Sequence, residues 1–466
     1  MMSRMQTSFD IKSIKIASKY AEIENPEAFT SIAEKAIVLA KRKGADFADA
    51  QISIGREIGV SVDKSSLKTA EANWGKGFSI RVFVNGGMGY ASTNGLNERD
   101  IENLVEKAVE LARISTPDPD FVSIPLPEIA PYEPMVFDPE IMRVEPADTI
   151  RWACENIREA QSVFPDVIVS GDVGMRVSAT VLVSSTGISL ARRSTSVYSG
   201  FFCIAKGGSS VGSFSEHSAA RFMSDFHPTG LGKIAAEKAM AYRNAKKVKT
   251  ARTTLVLGPM PAYGLMGGLA YAANAESIQR KRSLLAGRLG DTISPDFISI
   301  TDNGLIDRGL SSGAYDGEGA VSRVVPIIVN GKFRNELHNS YTANKARVVN
   351  TGHGSRTRNI SPSNLEIALG QKTAAELIAE VDDGIYLEMG GLDPDLASGD
   401  ISTNLDFAFK IKNGELAYPV SNAMVAGTLQ DILMNIDAVS SDYREEPGNK
   451  MPTIRIRNVQ ISSGGE

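Results

Sequence analysis

Side chains able to do chemistry are few and scattered along this 466-residue chain. There are four histidines, His217, His227, His338 and His353, and two cysteines, Cys154 and Cys203. No two histidines fall within one helical turn, and no cysteine lies near any of them. A histidine-rich zinc site would therefore have to assemble from distant segments. Each histidine alone reads as an ordinary hydrogen-bonded polar residue. The sequence has no glycine-rich dinucleotide fingerprint, no phosphate-binding loop ending in Lys-Ser/Thr, and no His-Glu-x-x-His.

Four short stretches remain. Gly208-Ser209-Ser210-Val211-Gly212 fits the G-x-S-x-G pattern, which makes Ser210 a nucleophile only on a strained strand-to-helix elbow beside a histidine. The surrounding glycines and serines read better as a turn. Asp316-Gly317-Glu318-Gly319 sets two carboxylates either side of a glycine. In a strand they would share a face and could bind a cation or a peptide amine. In a turn, which the glycines favour, they would solvate the bend. His338 to Lys345 is rich in polar donors and carries Tyr341, a composition suited to recognition. Arg280-Lys281-Arg282 reads as a solvated helix face or a strap to a carboxylate.

Fifty basic against 55 acidic side chains leave a net charge of −5. That balance gives no general attraction for polyanions and excludes bulk nucleic-acid binding. Two cysteines suit a reducing, cytoplasmic setting rather than a disulfide scaffold. Met1 to Lys19 has no apolar core of signal-peptide type. Leu255 to Ala275 runs uncharged for long enough to span a bilayer, but Gly258, Pro259, Pro261, Gly264, Gly267 and Gly268 interrupt it. The prolines predict a strand that ends and a helix that begins, buried in the protein and not in a membrane.

The elements that must hold these residues follow from periodicity. A helix is predicted from Pro26 to Lys43, capped by Asn25, with strands at Ala48–Ser61, Gly77–Val84 and Met88–Ser92, and a second helix capped by Asn97. Residues 117–146 hold eight of the 20 prolines and predict an extended strap. A helix at Ala147–Ser162, a meander over Val167–Ile204 turning at Gly171, Gly174, Gly187 and Gly200, and a helix at Thr229–Val248 come next. Further on, Thr373 and Glu376 form a capping box for a helix that stops at Gly384. Asn413-Gly414 marks a hairpin, Leu429, Ile432, Leu433 and Ile436 a helical stripe, and Thr453–Ile461 a final strand. The fold class is α+β: an N-terminal helix–strand domain (1–116), the strap (117–146), a strand-rich middle region (147–250), and a C-terminal antiparallel β domain (251–466) around the buried Ala/Gly-rich helix.

With these residues in order, the chain resembles the TldD/PmbA family, also called modulators of DNA gyrase. The landmarks are Val256-Leu257-Gly258, Asp316-x-Glu318-Gly319, Ser340-Tyr341-Thr342-Ala343, Thr351-Gly352-His353, Ser398-Gly399-Asp400, Asn413-Gly414-Glu415, Gly427 to Ile432, and Asn435-Ile436. The resemblance implies a dimeric peptidase in which a TldD-type subunit carries zinc on the buried C-terminal helix, through His-Glu-x-x-x-His and a later cysteine. A PmbA-type subunit shares the architecture without those ligands. Here the corresponding helix, Ala262 to Ala272, contains no His, Glu, Asp or Cys, and no cysteine follows Cys203. The expectations are a PmbA-type subunit with no catalytic or metal residues of its own, zinc in a TldD-type partner, and peptide substrates. Asp316, Glu318, His338, Tyr341 and His353 are its candidate peptide- or partner-binding residues. The alternatives are a homodimeric peptide-binding scaffold without hydrolysis and a serine hydrolase using Ser210.

Overall fold

The computed structural model describes residues 20–208 and 210–463. The expectation for Met1–Lys19 lies outside them. Two sheets organise the chain. The first is six-stranded and antiparallel, in the order β3-β2-β1-β4-β5-β6. It comprises β1 (Phe47–Asp63), β2 (Ser66–Val84), β3 (Gly87–Thr93), β4 (Ile168–Ser184), β5 (Ser189–Gly207) and β6 (Ser210–Ala220). β1 pairs β4 from Asp49↔Ser184 to Val62↔Gly171, so segments on both sides of the proline-rich stretch share one sheet.

Every second residue of β1, namely Ile52, Ile54, Ile58, Val60 and Val62, is buried. These side chains enter the same core as helices α1 (Thr30–Arg42), α2 (Glu98–Ile114), α3 (Pro146–Val163) and α4 (Leu231–Ala241). The Asn97 side chain caps α2 by accepting from the Asp100 amide. The strap runs over residues 117–145, with only a 3-10 turn at Ile141–Arg143, and Pro146 already opens α3. Phe121 stacks on Phe83 of the first sheet at 4.0 Å, while Glu128 pairs with Arg323 at 2.6 Å. The strap thus ties the first sheet to the C-terminal part.

The second sheet has 13 strands. They are β7 (Lys246–Lys247), β8 (Ala251–Leu257), β9 (Ile300–Asn303), β10 (Val324–Val329), β11 (Lys332–Phe333), β12 (Leu365–Ile367), β13 (Asp383–Leu387), β14 (Asp400–Asn404), β15 (Ala408–Lys412), β16 (Glu415–Ser421), β17 (Ala423–Thr428), β18 (Ile436–Glu446) and β19 (Asn449–Ser463). Most pairs are antiparallel, as expected, but β8/β13, β12/β19 and β7/β16 are parallel. Helix α5 (Pro259–Ala272) packs on β19 and β8, with Leu265, Met266, Leu269 and Ala270 fully buried. Among the described residues no helix is long and apolar enough to cross a membrane.

Several local expectations are corrected. The first helix divides into a 3-10 turn, Pro26–Phe29, and α1, and the Asn25 side chain donates back to the Ala21 carbonyl instead of capping. Gly171, Gly174 and Gly200 lie inside strands, not at turns; a Cβ at Gly171 would sit 2.1 Å from the Gly200 carbonyl, so close approach explains it. Gly187, with φ +105°, is the real turn. The Thr229–Val248 helix stops at Ala241, and Lys246–Lys247 pairs with β16. The Thr373 helix ends at Ala379, while Gly384 belongs to β13. Ile436 opens β18 and is not part of the helix Leu429–Met434.

Candidate functional site: a buried charge chain and an interdomain cleft

Asp49 on β1 and Arg81 on β2 are directly opposed in the sheet register. Arg81 Nε donates to Asp49 Oδ2 at 2.8 Å, and Arg81 Nη1 reaches across to Glu318 Oε1 at 2.9 Å. The second oxygen of Glu318 accepts from the Ser340 amide at 3.0 Å and from its hydroxyl at 2.6 Å. Arg356 Nε donates to Asp49 Oδ1 at 2.5 Å. All of these groups are buried. Burial alone would push the Asp49 carboxyl up, but Arg81 and Arg356 beside it hold it below the usual carboxylate range. Arg81 is likewise held above its ordinary value: its carboxylate partners outweigh desolvation.

Asp316 lies beside this chain in a turn closed by Gly319, φ +86°. Its carboxylate accepts the backbone amides of Glu318 and Ala320 at 2.9 Å and of Gly354 at 2.8 Å. Burial, followed by the charge of Glu318, nevertheless pushes its pKa up to about 7. The carboxylates do sit in a turn, but neither solvates it: Glu318 is clamped between the sheets and Asp316 is wrapped in amides.

His353 Nε2 lies 2.8 Å from Asp302 Oδ1, and His338 Nδ1 lies 3.2 Å from the Thr342 hydroxyl. Burial, with His353 adding to it, pulls the His338 pKa down to about 4. Thr351 Oγ1 joins the two segments, accepting from the His338 amide at 2.6 Å and lying 2.9 Å from His353 Nδ1. Glu318, His338 and His353 are buried, and the half-buried Asp316 gathers with them in one region. Tyr341 lies at its edge, donating to Asp118 on the strap at 3.3 Å beneath Arg358. Both Glu318 oxygens are already engaged, so the cluster's visible chemistry is to lock the two sheets together.

The helix singled out by the resemblance, α5, offers Tyr263 as a polar contact: its hydroxyl donates to Asn449 Oδ1 at 3.1 Å. Of its glycines, only Gly268 is in close approach, to Pro394 at 3.1 Å from a built Cβ, whereas Gly267 has open space. Among the described residues no group of three or more His, Cys, Asp or Glu side chains could hold a metal ion.

Asn449 opens β19 directly after the Pro447-Gly448 turn from β18, and this hairpin end borders a cleft of about 1030 Å³ between the two sheet bodies. Glu216 and His217 of edge strand β6 face Arg444 and Glu446 of the hairpin. Arg444 Nη2 donates to Glu216 Oε1 and Arg444 Nε to Glu446 Oε1, both at 2.7 Å. His217 Nε2 lies 3.3 Å from Glu446 Oε1. Burial would raise the Glu446 carboxyl, but His217 and Arg444 hold it low. His227 lines the same cleft. Sequence reasoning missed this set: its two halves, Glu216-His217 and Arg444 with Glu446, lie over 200 residues apart, 228 between Glu216 and Arg444, and no local spacing joins them. The two histidines read individually as bland were the one trace.

Ser210 opens β6 in a hairpin and its hydroxyl accepts the Asn244 amide at 2.9 Å. There is no strand-to-helix elbow, so the nucleophile pattern lacks its required geometry. The Cys203 thiol is buried, and burial pushes it up to about 12. Arg280 pairs with Glu276 at 2.6 Å, the carboxylate strap expected of the basic run.

A helix-covered sheet strapped to a β domain wound around an apolar helix is a known protein architecture. It matches TldE from Thermococcus kodakarensis with a TM-score of 0.84 and 22% identity, over 92% of this chain and 100% of that one. It also matches a protein from Bacteroides thetaiotaomicron named for modulation of DNA gyrase, with TM-score 0.83 and 23% identity, over 93% and 98% of the two chains. PmbA/TldA metallopeptidase domain 1 matches residues 48–112, the central domain 143–242 and the C-terminal domain 250–463. The chain belongs to the PmbA/TldD family of metalloprotease-related proteins. Similar curated proteins include metalloprotease PmbA of Escherichia coli O157:H7, 25% identical over 94% of this chain and 98% of that protein. The PmbA homolog of Buchnera aphidicola is 24% identical over 95% and 98%. The TldD homolog of Haemophilus influenzae is 21% identical over 86% and 87%.

Proposed function

We propose that this chain is the non-catalytic, PmbA-type subunit of a TldD/PmbA-type zinc metallopeptidase complex that processes or degrades peptides. The observation carrying the reading is the chemistry of α5. Its exposed and buried positions alike are Gly, Ala, Leu, Met, Pro and Tyr. A catalytic zinc needs about three protein ligands, a bound water and a base for that water's proton. Neither lone pairs of the right kind nor a carboxylate is supplied there. The zinc and the hydrolytic step are assigned to a TldD-type partner in a heterodimer, and this chain contributes shape, stability and contacts to peptide.

The test is peptide cleavage and bound-metal analysis of the purified chain, alone and mixed with a TldD-type subunit, with and without chelator. Cleavage is expected only in the mixture and only without chelator. Stoichiometric zinc with chelator-sensitive turnover in the isolated chain would overturn the assignment. A second reading, a homodimeric peptide-binding scaffold without hydrolysis, is favoured by the size of the cleft; a self-associated chain that binds peptide and gains nothing from a TldD-type partner would select it.

A further inference from the structure

We propose that the cleft between β6 and the β18–β19 hairpin binds a primary ammonium group of a peptide, its N-terminus or a lysine side chain, at the paired carboxylates of Glu216 and Glu446. The proposal rests on reading the chain as a peptide-handling subunit and names what its cleft recognises.

Glu216 and Glu446 form the floor, each only 8% exposed. Burying a carboxylate is costly unless it is paired. Here two carboxylates share the single guanidinium of Arg444, and the contacts with Arg444 and His217 all fall on the Oε1 atoms. Among the described residues no hydrogen bond is made to Oε2 of either glutamate, and both residues line the cleft. An ammonium group has three donors and no acceptor, which complements two such oxygens.

The field over the cleft has the matching sign. Its lining carries six carboxylate residues against three of Lys or Arg. Asp225 is neutralised by Arg308 at 2.9 Å, and with a neutral His217 the floor sets two carboxylates against the one guanidinium of Arg444. A cleft with low-dielectric walls concentrates that field. Leu231 and Ile234 from the start of α4, with Ile306, provide apolar lining for the side chain next to the ammonium group. The arrangement is that of a terminus pocket: charge at the bottom, apolar surface along the side, and an open mouth for the rest of the peptide.

The experiment measures equilibrium binding of three fluorophore-labelled alanine- and leucine-rich peptides to the full chain. One has a free N-terminus, one is N-acetylated, and one is N-acetylated with a single internal lysine. At least one amine-bearing peptide should bind roughly tenfold or more tightly than the acetylated one, the order of a charge-assisted hydrogen bond in a partly buried site. Which of the two does so identifies the N-terminus or lysine as the source. Glu216→Gln combined with Glu446→Gln should erase the preference. Because those side chains also hold β6 to the hairpin, Ile234→Arg provides a second route: it sets a cation at the mouth from an exposed helix position and should weaken amine-bearing peptides while leaving the melting temperature unchanged. Equal affinity for all three peptides, no binding of any, or a preference that survives both variants would overturn the proposal. Zinc content and cleavage by the isolated chain are separate readouts; a zinc-bearing chain that still prefers amines would end the subunit assignment and leave the site standing.

Discussion

Arg81 and Glu318 are 237 residues apart in sequence and 2.9 Å apart in space, and their contact joins the first sheet to the C-terminal domain. Arg81 is shared with Asp49, which also binds Arg356, so two guanidinium groups and two carboxylates form one buried, charge-balanced chain. A buried set of this kind gains little over apolar packing when complete, but it is expensive to break.

Arg81→Met would leave Asp49 and Glu318 with one cation between them. The expected loss is about 3–5 kcal/mol of unfolding free energy, read by urea denaturation with far-UV circular dichroism. A loss under about 1 kcal/mol, the size of an exposed pair, would mean that the chain is not buried as described.

Two groups of the same region make stability depend on pH in opposite directions. His338, held at about 4 against an ordinary 6.5, stays neutral in the folded chain while the unfolded chain takes up a proton. Its contribution is complete above pH 6.5 and drains away as pH falls through about 4. Asp316, raised to about 7 from 3.8, keeps its proton in the folded chain. Its contribution is complete below pH 3.8 and is lost as pH rises through about 7. In His338→Gln the first effect disappears, so between pH 6.5 and 4 the variant should lose less stability than the wild type. At ~1.4 kcal/mol per pKa unit the difference is on the order of 3 kcal/mol. Parallel stability curves for the two proteins would refute the assignment.

Gly89 on β3 lies against α2, where a Cβ would sit 1.9 Å from the Ala108 carbonyl oxygen and 2.6 Å from the Ala112 amide nitrogen. Both are backbone atoms, so the helix has to lift. Gly89→Ala is expected to cost about 1–3 kcal/mol or more. Gly59→Ala, on the same sheet with nothing within 4 Å, should be neutral within about 0.5 kcal/mol. Melting temperatures of the two variants give the comparison, and equal shifts would contradict the packing.

Ser210→Ala should leave any peptide cleavage by a reconstituted complex unchanged, and an active-site-directed phosphonate should not label Ser210. The only expected cost is the hydroxyl's bond to the Asn244 amide, about 1 kcal/mol. Labelling that vanishes in the variant would restore the serine-hydrolase reading.

Much of the framework was legible because it is local. The Asn97 cap, the Thr373 capping box, the Asn413-Gly414 turn and the proline strap depend on neighbours within a few residues, and each is found. The uncharged stretch after Leu255 divided into strand and helix where its prolines said it must, since proline is tolerated only in a helix's first turn. The strand glycines were misread for the opposite reason. Whether a glycine marks a turn or admits another backbone depends on what lies across the sheet, as at Gly171 and Gly200.

The amino-acid sequence alone determined the α+β framework and the absence of metal-binding side chains along α5, because both are properties of residue type and short-range spacing. Tertiary structure alone decided that Glu318 is buried, that the half-buried Asp316 is wrapped in backbone amides, and that Glu216, His217, Arg444 and Glu446 meet in a cleft. A charge's partner is set by which segments are brought together, and in this chain those partners come from strands and loops more than 200 residues apart.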